Sequence, residues 1–299
     1  MKHYESIIIG HITLDADTDY LDNKTKIEGG AVLYSSASAY ALGHKVAALT
    51  KVALKDRDRV SAFTLPKEDI YRIESKRSTD MSNHYLTPDK ERRNSACTSQ
   101  GDPFVLKDMP VGISADIYHF AGLIYGDFDN EMIKVLSQKG AVAVDVQACL
   151  RNRNDADGSL FFKDWSDKEE MLPFITYLKT DAAEAEIMTG LTDRKAAAKM
   201  LYGWGAKEIM ITHNSEVLIY DGKDFYTCPI RSRNLSGRTG RGDTTFAAYI
   251  NERLTHNIKD SLMVATATVS VKMETPGPYR GKRKDVEAYI AEFYRDCAE

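Results

Sequence analysis

Cysteine is scarce in this 299-residue chain: Cys97, Cys149, Cys228 and Cys297 stand far apart. No CxxC pair and no histidine at zinc-ligand spacing goes with them. That argues against a disulfide framework or a structural zinc, and leaves reduced thiols in a cytoplasmic protein as the expectation. Apolar runs of membrane-spanning length are missing, and Met1-Lys2-His3-Tyr4-Glu5 leads into a strand-like stretch without the apolar core of a signal peptide. No sign of charge dominates either. The 40 Lys and Arg and 44 Asp and Glu give a formal net charge of −4, with both signs interspersed. Neither nucleic acid nor an anionic membrane is therefore expected as the main partner. Two nucleotide-binding motifs are also lacking. Gly237 is not followed by Gly-Lys-Ser/Thr at P-loop spacing, and Gly10-His11-Ile12 lacks the G-x-G-x-x-G pattern. What remains is an ordinary globular composition, 43% hydrophobic and 28% charged, long enough for one large α/β unit with a small appendage.

Strand-like and helix-like segments alternate over most of the length, the pattern of a parallel sheet covered by helices. Ser6–Gly10, Lys45–Val52, Ile117–Phe120, Ala141–Val146, Tyr177–Lys179 and Glu208–Thr212 read as strands. Ala31–Leu42, Asn130–Ser137, Lys168–Phe174, Ala182–Met188 and Arg194–Trp204 read as helices. Strands Val217–Tyr220 and Phe225–Ile230 follow, then three helices. The last, Lys284–Cys297, has Val286, Tyr289, Ile290 and Phe293 at helical spacing, so one face is expected in the core. Residues 13–27 and 81–99 break the rhythm. They are polar and alternating, with turn signals such as Pro88-Asp89-Lys90, and read as antiparallel strands outside the main sheet. The expected division is a core of residues 1–12, 28–80 and 100–299 with a β lid of 13–27 and 81–99.

The most informative segment is Ser236-Gly237-Arg238-Thr239-Gly240-Arg241-Gly242-Asp243-Thr244-Thr245-Phe246, a glycine-rich turn opening onto a helix. Outward backbone N–H groups and the positive end of the helix make a cradle for an anion such as a transferring phosphoryl group. Asp243 then stands beside that group, where a carboxylate can accept the proton of an attacking hydroxyl. Taken alone, Asp243 could instead be a helix N-cap.

Thr239-Gly240-Arg241-Gly242-Asp243 is similar to the C-terminal signature Thr-Gly-Ala-Gly-Asp of the ribokinase/PfkB family of carbohydrate kinases. Further motifs follow the family's order: Glu28-Gly29-Gly30-Ala31 leading into a helix, Asp15 after the first strand, and Asp181-Ala182-Ala183-Glu184 with Thr189-Gly190. The resemblance covers essentially the whole chain. It implies a ribokinase-like α/β fold, a three-layer core with a mainly parallel central sheet and a small β lid. It also implies an ATP- and Mg²⁺-dependent kinase acting on a hydroxyl of a small sugar or polyol. Asp243 would be the base, and backbone groups of Gly240, Arg241 and Gly242 the anion hole. Asp15, Gly29, Gly30 and Tyr34 would meet the acceptor. Thr212, Asn214, Arg238, Ala267, Ser270 and Gly277 would surround the nucleotide, and Asp181 and Glu184 would act on Mg²⁺ through water or phosphate. A homodimer through the lid is a further implication. For Thr212 and Ala267 the alternatives are a strand end and a helix-packing residue.

Three departures bear on the function. Asp181 replaces the usual Asn while remaining a hard oxygen ligand. Tyr34 stands where many sugar kinases have a substrate-binding Asn, which favours a flat ring such as inositol, as does Lys272-Met273-Glu274-Thr275-Pro276-Gly277-Pro278 through its similarity to inositol-kinase-like members. Gly237 occupies the position of an Asp associated with monovalent-cation activation; Arg238 beside it could supply fixed charge instead, or be a solvated loop residue. Arg241 could reach phosphate or turn to solvent. A nucleoside kinase, with Tyr34, His84, Tyr85 and Tyr125 as candidate aromatic contacts, and a non-catalytic ligand-binding member are the alternative readings.

Overall fold

A computed structural model describes residues 2–88 and 92–297. In chain order its strands are β1 (Lys2–Ile9), β2 (Thr13–Thr18), β3 (Lys24–Gly29), β4 (Val46–Val52), β5 (Ile70–Glu74), β6 (Thr79–Tyr85), β7 (Arg93–Ser99) and β8 (Ile113–Phe120). They continue as β9 (Ala141–Asp145), β10 (Arg151–Arg153), β11 (Leu160–Phe162), β12 (Tyr177–Asp181), β13 (Glu208–Thr212), β14 (Glu216–Tyr220) and β15 (Phe225–Pro229). The helices are α1 (Ala31–Ala41), α2 (Asn130–Leu136), α3 (Gln147–Leu150), α4 (Lys168–Met171), α5 (Ala182–Thr189), α6 (Arg194–Gly203), α7 (Arg241–Glu252), α8 (Ile258–Lys272) and α9 (Arg283–Phe293).

Among the described residues nine strands form the main sheet, in the order β15-β14-β13-β12-β9-β8-β1-β4-β5. Neighbours run parallel from β13 to β5, and only the β13–β14 and β14–β15 pairs are antiparallel. The central strands are apolar runs such as Ile7-Ile8-Ile9 and Ala47-Ala48-Leu49, fully buried as strands covered on both faces must be. Helices α7, α8 and α9 cover one face, where Phe246, Leu262 and Val286 pack on Ile117, Met210 and Ile219. Helices α2, α5 and α6 cover the other, where Met132, Met188 and Leu201 meet Tyr118, Val142 and Leu178. This is the three-layer α/β architecture expected from the sequence.

A second sheet has the order β3-β2-β6-β7. The outer pairs are antiparallel, as the alternating polar pattern implied, but the central pair β2–β6 is parallel. Of the expected Pro88-Asp89-Lys90 turn, Asp89 and Lys90 lie outside the described residues. Two helices end earlier than their apolar patterns suggested. Pro173 tightens the end of α4 into a 3₁₀ turn, Leu172–Phe174, and α9 gives way to another, Arg295–Cys297.

Helix α1 is fitted between the sheet and α7 by its small residues. Ser38 Oγ donates to Thr244 O at 2.9 Å and Ser35 Oγ to Asp243 O at 3.3 Å, so the middle of α1 is bound to the first turn of α7. The starts of α1 and α7 and the carboxyl ends of β9, β12 and β13 meet at one edge of the sheet. Open α/β folds bind ligands at that edge.

Candidate active site

A cleft of about 350 Å³ opens there, walled on one side by the small sheet. Its lining includes Asp15, Gly30, Tyr34, Asp181, Thr212, Arg238, Gly240, Arg241, Gly242 and Asp243, so the structure brings most of the sequence-derived candidates together. Helix α7 begins at Arg241, and its N-cap is Gly240 at φ 78°. Asp243 is therefore the third residue of the helix, and the N-cap reading of it does not hold. Burial, then the charge of Asp145, pushes its carboxyl up to about 6; Lys179, Arg151 and Lys272 work in the opposite direction. Across the cleft Asp15 is also pushed up to about 6 by burial, although it accepts from Thr13 Oγ1 at 2.6 Å. Gly29 lies against it, where a Cβ would fall 2.4 Å from an Asp15 carboxylate oxygen.

Several residues at the site were not singled out from the sequence. The ammonium of Lys179 lies between Asp145 oxygens at 2.9 and 3.1 Å, beneath the turn: a Cβ on Gly242 would come 3.0 Å from Nζ. Burial opposes its charge, but Asp145, Glu184 and Asp181 outweigh that and hold its pKa above the ordinary lysine value. Its signal was a lysine inside the buried strand Tyr177-Leu178-Lys179. Arg151, buried in the short strand β10 with Nε donating to Leu123 O at 2.7 Å, and Arg93 from β7 also line the cleft. So Arg93, Arg151, Lys179, Arg238 and Arg241 face Asp15, Asp145, Asp181 and Asp243 in one small volume.

A further lysine lies behind the turn. Lys272, the last residue of α8, is fully buried and donates from Nζ to the carbonyl oxygens of Gly237 and Thr239, with the Tyr34 ring 5.0 Å away. Burial lowers its pKa to about 8, partly opposed by Asp243. Gly237 allows this closeness: its N–H donates to Met273 O at 2.7 Å, and a Cβ there would fall 1.8 Å from Thr275 O.

Other candidates lie apart from the cleft lining. Ala267 is fully buried in helix packing. Ser270 is fully buried too, with its hydroxyl taken by Arg231 N–H at 2.9 Å and by Tyr294 Oη at 2.8 Å. Neither lines the cleft, and the Ser270 hydroxyl is already engaged by the chain's own Arg231 and Tyr294. Asn214 is on an exposed bend and Gly277 in an open left-handed turn. Glu184 is buried and turned back: its carboxylate accepts from Asp181 N–H at 2.9 Å, while Asp181 accepts from Glu184 N–H at 2.8 Å. Asp181 remains on the cleft wall; Glu184 supports it from behind. Of the aromatic candidates, Tyr34 and Tyr85 line the cleft, while His84 and Tyr125 are exposed and outside its lining.

A sheet edge carrying an anion-binding helix start, a carboxylate in its first turn and converging cations is the framework of a phosphoryl-transfer enzyme. The chain belongs to the pfkB family of carbohydrate kinases, whose model matches residues 67–285. It is similar to the structure of a pyrophosphate-dependent kinase in the ribokinase family complexed with a pyrophosphate analog and myo-inositol. There the identity is 32% over 95% of this chain and 99% of the other, with a TM-score of 0.84. Another similar structure describes conversion of a pyrophosphate-dependent myo-inositol-1 kinase into a myo-inositol-3 kinase by replacing one asparagine and one serine with leucine. It is 31% identical over 97% of this chain and 99% of the other, with a TM-score of 0.83. A cytidine kinase of Thermococcus kodakarensis is 25% identical, aligned over 82% of this chain and 86% of its own length. The kinase class and the ribokinase-like fold are thus established. Among the described residues no helix is long and apolar enough to cross a membrane.

Proposed function

We propose that this chain transfers a phosphoryl group from pyrophosphate to a hydroxyl of a cyclic polyol of the inositol type. The observation that carries the donor assignment is Ser270. At the place where the family resemblance put the adenine, its hydroxyl is engaged by Arg231 and Tyr294, and Ala267 beside it is sealed in the core. The cleft instead offers guanidinium and ammonium groups, which suit a compact polyanion that brings no base to bury. The two similar pyrophosphate-dependent kinases support the same donor, and Tyr34 in the acceptor wall suits a flat ring.

In this reading Asp15 accepts hydrogen bonds from acceptor hydroxyls and orients the ring. The attacking hydroxyl gives its proton to Asp243 as its oxygen bonds to phosphorus, and the bridging P–O bond breaks to release inorganic phosphate. N–H groups of Gly240 and Gly242 and the positive end of α7 receive the charge on the transferring group, while the Arg241 N–H donates to Arg238 O at 3.2 Å within the turn. Mg²⁺ fits the donor set, because it keeps several waters and is held by one or two carboxylates plus substrate phosphates. Asp145 and Asp181 at the cleft would hold it, and when bound it neutralises phosphate charge.

A phosphorus-NMR matrix tests this, with pyrophosphate and ATP each offered with myo-inositol, ribose and cytidine. Turnover is expected with pyrophosphate and myo-inositol. Turnover confined to ATP with cytidine would replace this reading by a nucleoside kinase, which the curated relative and the cleft residues Tyr34 and Tyr85 favour. No turnover in any pair would favour a ligand-binding member.

A further inference from the structure

We propose that Lys272 is a built-in monovalent cation, a positioning residue whose ammonium holds the anion-hole turn in its phosphate-binding form without an added metal ion. Four features meet at this one group. Its Nζ donates to the backbone carbonyls of Gly237 and Thr239, the residues on either side of Arg238. It ends α8, where unsatisfied carbonyls and the helix dipole favour positive charge. The Tyr34 ring, 5.0 Å from Nζ, adds the face of a π system. The side chain is fully buried, so bulk solvent does not reach its ammonium.

The consequence follows from peptide geometry. In a trans peptide the C=O and the following N–H point in opposite directions. Drawing the carbonyls of Gly237 and Thr239 toward Lys272 therefore turns the N–H groups of Arg238 and Gly240 away from it, toward the cleft that both residues line. Fixing these dipoles before the donor arrives is the preorganisation that transition-state stabilisation requires. Gly237 is the complementary adaptation: with no side chain it admits the Met273–Thr275 backbone, which keeps the end of α8 within reach of the turn. The role that the sequence suggested for Arg238 thus falls to a lysine one helix away.

The inference rests on phosphoryl transfer at this turn and not on which donor or acceptor is used. Turnover of the wild type, Lys272→Ala and Lys272→Met would be compared in K⁺ and in tetramethylammonium at equal ionic strength. Pyrophosphate with myo-inositol and ATP with cytidine would both be tried, with melting temperatures confirming that each variant folds. The wild type is expected to differ less than about twofold between cations. Lys272→Ala should lose about 10²-fold in kcat in tetramethylammonium, the scale of a lost oxyanion-hole donor, with little change in the acceptor KM. K⁺ or methylammonium should restore at least about tenfold of that by entering the vacated space, whereas Lys272→Met, which fills it, should stay low. Strong K⁺ activation of the wild type, or a Lys272→Ala variant that neither cation rescues, would overturn the proposal. Should the wild type turn over neither pair, the functional reading fails separately. Calorimetric binding of methylenediphosphonate then decides: loss in Lys272→Ala with recovery in K⁺ supports the internal cation, and unchanged binding rejects it.

Discussion

Gly240→Ala tests whether the turn and the acceptor wall form one rigid unit. Gly240 has φ 78°, a left-handed conformation that costs an alanine about 1–2 kcal/mol. The larger effect is steric. A Cβ there would sit 2.1 Å from Cδ1 and 2.3 Å from Cγ of Tyr34, against an ordinary contact of 3.4 Å or more. The ring or the turn must therefore shift by about 1.3 Å. Tyr34 is only 3% exposed and has Lys272 5.0 Å from its ring, so it has little room to yield. Displacement on this scale typically costs about 10²-fold in rate, or about 2.7 kcal/mol. Steady-state kinetics should show kcat falling by that factor, and thermal unfolding should show the strain. Adding Tyr34→Ala should relieve the overlap but leave the backbone cost, giving a favourable coupling of about 1–2 kcal/mol in a double-mutant cycle. A Gly240→Ala enzyme within twofold of wild-type kcat, with unchanged stability, would refute the reasoning.

Asp243→Asn should lower kcat at least about 10²-fold while calorimetric binding of the acceptor persists; near-wild-type turnover would remove this carboxylate from proton transfer. Because burial raises Asp243 to about 6, and the base must be ionised, kcat should fall as pH drops through about 6. Asp145, Lys179, Arg151 and Lys272 face it, and an acid limb unmoved in Lys179→Met would contradict their influence. Asn83 lines the acceptor wall, donates to Asp17 Oδ1 at 2.9 Å and accepts from Ser95 Oγ at 2.7 Å. Asn83→Leu, which removes both hydrogen bonds, should raise the acceptor KM, and an unchanged KM in steady-state kinetics would place the residue outside acceptor binding. At the far end of the sheet Glu252 is buried against His44 at 2.8 Å, His256 at 3.3 Å and Arg283, so Glu252→Gln should cost about 3 kcal/mol in urea unfolding. Burial would lower the His44 pKa, but its hydrogen bonds to the carboxylates of Glu252 and Glu5 raise it overall. That contribution is present below about pH 6.5 and lost as pH rises through the folded-state pKa, and the variant should show less of this loss.

The elements that apolar pattern could reveal were those that bury both faces. β1, β4, β8, β9, β12 and β13 are short hydrophobic runs, and all were legible. β5 was not: Ile70–Glu74 is an edge strand whose residues are at most half-buried, and edge strands need no continuous apolar run. Nor was the β10–β11 hairpin, since three residues per strand carry no period. The site divides in the same way. Gly240, Gly242 and Asp243 are adjacent in sequence and carry a local conformational signature, so they could be read directly. Lys272 acts on the same turn from 33 residues away, and Arg151 reaches the cleft from a strand of three residues. Contacts of that kind depend on tertiary placement. Ala267 and Ser270 lie outside the cleft lining for the converse reason: a short local match cannot show that Arg231 and Tyr294, distant in sequence, engage the Ser270 hydroxyl.

The buried cations are hard to account for by stability alone. Lys179, Arg151 and Lys272 each leave water, and a buried charge recovers its desolvation cost only through well-formed partners. Lys179 has Asp145, but Arg151 and Lys272 are held through neutral carbonyl oxygens, and burial lowers the pKa of both. A core selected for stability would do as well with apolar groups of similar volume. What the three share is position, around a single turn that also carries Asp243. Each raises the positive potential at that point, and each keeps Asp243 more acidic than burial alone would leave it. A site that must bind a polyanion and still hold an ionised base near neutral pH needs both effects. The same charges that would attract phosphate therefore keep the base in its working form, which ties binding and proton transfer to one electrostatic arrangement.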